Sequence, residues 1–320
     1  MDDRRPGTEN EARHVPVLLT EVMSFIIQPG TKTVLDATIG AGGHAEAILK
    51  AMDGVKLIGL DRDPCAVSIS KGRLAPYKGR VEILHSHFLR LDAALDSCGV
   101  EKVDFILMDL GVSSMQLDTP ERGFSLAKDG PLDMRMDPSS PSTAASIVNE
   151  AGHERLVSIF RKYGEEKNAA RIARAIVEER GKSPITTTGR LADIVAKASS
   201  SKGQRRIHPA TRVFQAIRIA VNNELDIIAP AIQKGVERLN NGGRIAVISF
   251  HSLEDRIVKK EFADLEGRCQ CPKNIPVCVC GRYALVKTLT RKPVRPAAGE
   301  MEANRRARSA KLRVAEKVAA

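Results

Sequence analysis

Thr33-Val34-Leu35-Asp36-Ala37-Thr38-Ile39-Gly40-Ala41-Gly42-Gly43-His44 is the stretch that decides the fold. An apolar, β-branched run passes through a carboxylate into a glycine-dense turn, and an alanine-rich helical pattern follows from Ala45 to Met52. A strand, a glycine turn and a helix in that order let backbone N–H groups approach a ligand closely at the helix N-terminus. About twenty residues further on, the apolar run Lys56-Leu57-Ile58-Gly59-Leu60 ends in Asp61, the offset expected of an acid that grips a ribose diol. Together these units predict the nucleoside-binding half of a doubly wound α/β domain.

The glycine spacing narrows the ligand. A dinucleotide fold wants G-x-G-x-x-G, whose third glycine lets the helix pack beneath a pyrophosphate. Here the glycines fall at Gly40, Gly42 and Gly43, followed by His44. That tight turn suits a nucleoside without phosphates whose amino-acid end lies along the loop. S-adenosylmethionine is such a ligand and is favoured over NAD; a turn that merely reverses the chain is the plainer alternative.

Of the formal net charge of +11, most sits at one end. From Arg268 onward there are thirteen Lys/Arg and three Asp/Glu, so the preceding residues are nearly neutral. A basic tail on a neutral body points to a polyanion, nucleic acid first, with a merely solvated tail as the alternative. Eight Phe, three Tyr and no Trp argue against single-strand binding by rows of stacking rings. Met1 to Arg13 is polar and has no apolar signal core, and no run approaches the roughly 20 apolar residues of a membrane span. A soluble, cytoplasmic protein is expected. Cys269, Cys271, Cys278 and Cys280 form C-x-C-x6-C-x-C, a cramped spacing that leaves structural zinc, free thiols in a reducing compartment and, last, a disulfide open; no metal ligand is assigned.

Further strands are expected at Val81 to Phe88, Val103 to Asp109 and Gly243 to Phe250. The last two are separated by about 130 residues, whereas a βαβ crossover needs about a dozen, so an inserted subdomain is expected. It opens with a Pro/Gly/Asp/Met-rich loop, Thr119 to Pro141, and continues with helical patterns at His153 to Tyr163, Glu165 to Arg180 and Gly189 to Ala198. A single helix is expected over Thr211 to Leu239, ended by Asn240-Asn241-Gly242-Gly243. Ala284 to Leu289 and Ser309 to Val314 would finish the sheet, the second as an antiparallel edge strand. The expected division is 1–115 for the first part of the core, 116–210 for a helical substrate-recognition insert, and 211–320 for the rest of the core with its basic end.

In open α/β sheets, ligands sit over the C-terminal ends of the strands. The glycine loop, Asp61, His87-Phe88, Asp109 and Ser249-Phe250-His251-Ser252 converge there. Phe88 is either an apolar wall for adenine or core packing. Asp109 suits methylation of an exocyclic base amine, whose lone pair is delocalised and attacks only when acceptors draw its N–H groups towards tetrahedral geometry. The Leu110 and Gly111 carbonyls and the Ser113 and Ser114 hydroxyls are further acceptors, and an Asp109 that only caps the turn is the plain alternative.

Asp36 to His44, Asp109-Leu110-Gly111-Val112-Ser113-Ser114-Met115-Gln116-Leu117-Asp118, Arg122-Gly123-Phe124-Ser125, Gly130 to Asp137, Ser249 to Arg256 and Asn304 to Arg313 together resemble the bacterial RsmH (MraW) family. The resemblance runs from about His14 to Lys317. It implies a Rossmann-like class I methyltransferase sheet with a helical insert after the fourth strand. It also implies S-adenosylmethionine-dependent methylation of a cytidine N4 amine at the decoding centre, near the P site, of 16S rRNA in the small ribosomal subunit. Cofactor contacts would fall on Gly42, Gly43, His44, Asp61, Phe88, Asp109 and Gln116, with Asp109 catalytic. The usual amine-methylase signature, an acid or amide before Pro-Pro and an aromatic, is absent; Asp109-Leu110-Gly111-Val112 stands in its place.

Several readings stay open on sequence alone. Gln116 either reaches over the cofactor or lies on the surface. Arg135, among Asp133 and Asp137, serves a self-paired loop or a substrate clamp. His251 with Phe250 orients an extruded base, or His251 caps the following helix. Lys202, Arg205, Arg206, His208 and Arg212 join the C-terminal arginines as phosphate ligands. A non-catalytic nucleoside-sensing RNA binder is the rival function, a small-molecule or NAD enzyme a weaker third, and monomer and homodimer are both open.

Overall fold

Residues 16–199, 208–267 and 283–319 are described by the computed structural model. The cysteine quartet and Lys202, Arg205 and Arg206 lie outside them. The chain runs through α1 (Leu19–Ile26), β1 (Thr33–Asp36), α2 (Gly43–Ala51), β2 (Lys56–Asp61), α3 (Pro64–Arg73), β3 (Val81–His85), α4 (Leu91–Ser97) and β4 (Val103–Asp109). It continues through α5 (Ser114–Asp118), α6 (Ala144–Glu150), α7 (His153–Gly164), α8 (Ala169–Lys182), α9 (Thr188–Ala198) and α10 (Thr211–Asn222). Last come α11 (Ile228–Glu237), β5 (Leu239–Ser249), α12 (Ser252–Leu265), β6 (Val286–Thr288), α13 (Ala298–Ala303) and β7 (Lys311–Lys317).

These strands form one sheet in the order β3-β2-β1-β4-β5-β7-β6. β3 through β5 are parallel, and β7 is antiparallel to both its neighbours. A parallel strand covered by helices on both faces must be apolar on both, which is why β4 reads as a continuous run. Phe105 and Leu107 join Ile48, Leu49, Ala246 and Ile248 in one buried cluster. Ile106 and Met108, equally buried, face the other way, where Ile106, Met108 and Ile245 crowd around Gly235 of α11. Strand order reverses between β1 and β4, the switch point at which doubly wound sheets open a crevice. The expected doubly wound α/β fold is borne out.

Two expectations need correction. β7 is not an edge strand, because β6 pairs outside it, Val286 opposite Lys317. Its alternation of charged and apolar residues reads as a half-solvated edge, but Arg313 is buried and its charge is met by Asp255 Oδ1 at 2.6 Å. The helix expected over Thr211 to Leu239 breaks after Asn222. Asn223 adopts a left-handed conformation, φ 49°, and its N–H donates to the Ile219 carbonyl, so α10 and α11 are separate.

The chain divides into two compact units: residues to Leu110 together with Ala231 onward, and Gly111–Pro230. The second unit is wider than the 116–210 expected for the insert. α10 places Val213, Phe214 and Ile217 in the same buried cluster as Leu156 and Phe160 of α7 and Ile172 of α8, so 211–230 goes with the insert. Within this unit the irregular 119–143 stretch is held by side chains. Buried Asn222 donates through Nδ2 to the Met134 carbonyl (2.7 Å) and accepts the Met136 N–H at Oδ1 (2.8 Å). Asn222→Ala leaves both backbone groups unmet and is expected to destabilise the unit by about 2–4 kcal/mol. Urea unfolding and faster proteolysis within 119–143 would register the loss; an unchanged midpoint would show that the loop does not depend on this residue.

Candidate active site

In the sheet unit, acidic side chains gather where the parallel strands end. Asp36 closes β1, Asp61 closes β2, Asp109 closes β4, and Glu254 lies in the first turn of α12, just after β5. Between β1 and α2 the loop folds tightly. The Gly42 N–H donates to the Ile39 carbonyl at 2.8 Å, and Gly42 takes φ 80°, a left-handed conformation that a residue with a Cβ adopts only under strain. Asp61 ties this loop to its own strand end. Its Oδ2 accepts the Gly40 N–H and its Oδ1 the Asp63 N–H, both at 2.9 Å. Asp61 is therefore fixed in place with lone pairs to spare.

Asp109 is the centre of the cluster. Its backbone N–H donates to Thr38 Oγ1 at 2.6 Å, which couples the end of β4 to the turn after β1. Its carboxylate Oδ2 lies 4.0 Å from His44 Nδ1, while Oδ1 is buried with no hydrogen-bond partner. Burial first, then the charges of Asp36 and Glu254, push the Asp109 carboxyl up to about 8. Asp36, 1% exposed, is pushed up to about 7 by burial and by Asp61, against the lowering effect of the Thr38 N–H. Burial likewise raises Asp61. Burial and mutual repulsion raise these carboxyls together, opposed at Asp61 by the neighbouring Arg62 charge.

The other residues named from sequence divide. Gly42 caps α2 and Gly43 opens it, so the glycine loop stands at a helix N-terminus. Gly43 also lacks room for a side chain, since a Cβ there would come within 2.6 Å of Pro16. His44, in the first turn, is buried and its Nε2 lies 3.0 Å from the Val17 carbonyl. β3 stops at His85, so Phe88 is not a strand residue as expected. It opens a one-turn 3-10 segment, half-buried, with its ring 4.6 Å from that of His87. His251 takes the capping role: Nδ1 accepts the Glu254 N–H, and Nε2 lies 3.1 Å from Glu254 Oε1.

Asp36, Thr38 and Glu254 join this cluster without being among the expected site residues. For Asp36 a signal was present, a carboxylate where an apolar run meets a glycine turn. For Thr38 and Glu254 there was none short of the fold itself.

In the insert unit, Gln116 is buried, not on the surface. Its side chain accepts the Ser113 N–H at 3.0 Å and the Ser113 hydroxyl accepts the Gln116 N–H at 3.2 Å, a reciprocal cap on α5. Arg135 belongs to a self-paired loop. It grips Asp133 in a two-pronged pair at 2.9 and 2.7 Å and donates to the carbonyls of Pro138 and Ser140. With these donors engaged, the clamp reading loses its basis. Of the insert's expected phosphate ligands, His208 and Arg212 are described; Arg212 donates to the Glu165 carbonyl at 3.3 Å.

A glycine loop at a helix N-terminus, an acid closing the next strand and a switch point between β1 and β4 define a nucleoside-binding α/β domain. The model of the MraW methylase family matches residues 11–318, and the chain belongs to that family. The resemblance read from the motifs is thereby borne out. The chain is 48% identical over 309 residues to the ribosomal RNA small subunit methyltransferase H of Clostridium botulinum (strain Loch Maree / Type A3), covering 96% of this chain and all of the relative. It is 50% identical over 308 residues to the protein of that name from Carboxydothermus hydrogenoformans, covering 96% of this chain and 99% of the relative. The Oleidesulfovibrio alaskensis protein of the same name is 50% identical over 309 residues, 95% of each chain. No helix among the described residues is long and apolar enough to cross a membrane.

Proposed function

We propose that this protein transfers a methyl group from S-adenosylmethionine to the N4 amine of a decoding-centre, P-site cytidine of 16S rRNA. The observation that carries the reading is Asp109 Oδ1, a buried acceptor without a partner at the end of β4. The residues present suit the cofactor. Asp36, Asp61, Asp109 and Glu254 form an acidic cluster that a sulfonium and an ammonium group would neutralise. Asp61 keeps acceptor capacity for a ribose diol, and Gly42 and Gly43 bring backbone close to the ligand at the start of α2. When bound, the cofactor supplies an electrophilic methyl carbon.

The protein's own part is placement and proton removal. Asp109 Oδ1 accepts an N–H of the base amine, localises its lone pair and takes the proton that the nitrogen sheds. The amine is within reach only once the cytosine leaves its stack. Transfer from methyl-labelled cofactor to small ribosomal subunits, with the product nucleoside identified by mass spectrometry, tests the reading. Label at cytosine N4 supports it. Label elsewhere removes the assigned target, and cofactor and RNA binding without transfer would make the protein a nucleoside-sensing RNA binder.

The C-terminal charges separate into two sets. Lys311 and Arg313 are engaged by Asp255 at 3.2 and 2.6 Å, whereas Arg305 and Arg308 stand exposed on the 3-10 segment Arg305–Ser309. Arg305 and Arg308 are therefore assigned to RNA phosphates. Reversing both to Glu should weaken RNA binding and reduce the slope of log K against log salt by about 0.7–0.9 for each phosphate that is no longer neutralised. An unaltered slope would take the segment out of the RNA interface.

A further inference from the structure

Just before α1 the chain makes a turn that its sequence disfavours. Leu18, fully buried, takes φ 57° and ψ 31°, the left-handed region in which a bulky side chain is strained. A group from the far end of the chain meets it there: the Leu18 N–H donates to Glu300 Oε1 at 2.8 Å, from the first turn of α13. The two residues ahead of Leu18 lie against the glycine loop. The Pro16 ring occupies the space that a Cβ on Gly43 would need, 2.6 Å from it, and the Val17 carbonyl meets His44 Nε2 at 3.0 Å. Val17 and Leu18 share a buried cluster with Ala45 and Ile48 of α2 and with Ala307. All of these residues belong to the sheet unit.

We infer that Glu300 is a positioning residue for the cofactor: by accepting the Leu18 N–H it holds the left-handed turn, which seats Pro16 and Val17 on Gly43 and His44 and fixes the start of α2. The inference rests on the cofactor seat proposed above, in which Gly42 and Gly43 bring backbone close to S-adenosylmethionine. A loop already ordered before the ligand arrives spares the binding step the cost of ordering it. Leu18 gains by leaving its strained conformation, and in doing so it would carry Pro16 and Val17 off the loop. Glu300 opposes that relaxation, and it acts through Leu18. The lesser role is that of a helix cap, since a carboxylate beside the first turn of α1 also suits the positive end of that helix. A cap alone stabilises the fold and leaves cofactor affinity where it was.

The test compares Glu300→Ala with Glu300→Gln, whose side-chain carbonyl still accepts an N–H. In calorimetry Glu300→Ala is expected to bind S-adenosylmethionine about tenfold more weakly, the scale of one hydrogen bond to a charged group, and Glu300→Gln to recover most of that affinity. In steady-state assays the loss should fall on KM for the cofactor, not on kcat or on KM for small ribosomal subunits. On the free protein, with no cofactor or RNA, amide hydrogen exchange over residues 39–46 should quicken in Glu300→Ala and slow again in Glu300→Gln. Unchanged cofactor affinity in a folded Glu300→Ala makes Glu300 a helix cap only and overturns the inference, as does unchanged exchange over 39–46. If Glu300→Ala does not fold, Pro16→Ala, at a half-buried residue, takes its place. Weaker cofactor binding with faster exchange then supports the inference, and wild-type values for both overturn it. A wild type that binds no S-adenosylmethionine, with the exchange difference intact, counts against the proposed cofactor seat and leaves the hold of Glu300 on the loop standing.

Discussion

Asp109→Asn is expected to lower the rate of methyl transfer by about 10²–10⁴, the usual range for a positioned acid–base group, while making the free protein more stable at pH 8. The two effects share one cause. The native carboxyl is raised to about 8, against an ordinary value of 3.8. Between those limits the native state binds more protons than the unfolded state, so stability falls as pH rises through the interval. The penalty is absent below pH 4 and complete above pH 8. An uncharged amide does not carry it, so the thermal midpoint of Asp109→Asn should exceed that of the wild type by a few degrees (~2–6 °C) at pH 8 and match it near pH 4. A variant that loses activity and also melts lower at pH 8 would mean that Asp109 holds the fold together, and the assignment would fail. Stability given up at a working carboxylate is a familiar trade at active sites.

The sheet was legible because its signals are local. A strand buried on both faces must be apolar throughout, and a nucleoside turn must have glycine where the backbone is left-handed, so Thr33 to His44 and Val103 to Asp109 announce themselves. Long-range facts were less accessible. Lys311 to Lys317 carries alternating charges, and nothing in the run says that Asp255 buries one of them. Thr211 to Leu239 keeps helical spacing across Asn223, where the chain turns left-handed without glycine. The site was legible in its members more than in their relations. Asp61 and Asp109 follow from strand ends, but the tie between the Asp109 N–H and Thr38 needs β1 and β4 side by side, and the cap made by Gln116 needs the turn at Ser113. Arg135 shows the converse: an arginine between two aspartates suggests an anion clamp until its donors are seen to end on Asp133 and on backbone carbonyls.

Affinity for S-adenosylmethionine is expected to increase about tenfold to a hundredfold between pH 6 and pH 9, with protons released on binding at neutral pH. Asp36 and Asp109, raised to about 7 and about 8, are largely protonated at pH 6. A cation placed among them favours the ionised forms, so binding must expel the protons first, and each proton expelled contributes up to a tenfold change in affinity per pH unit. Calorimetry in buffers of different ionisation enthalpy would count them. S-adenosylhomocysteine has the same nucleoside and amino acid without the sulfonium charge, so its affinity should depend more weakly on pH. Asp109→Asn should flatten the cofactor's profile towards that of the neutral thioether. Equal pH dependence for the two ligands would mean that the acidic cluster does not sense the sulfonium, and the catalytic placement of Asp109 would lose its electrostatic support.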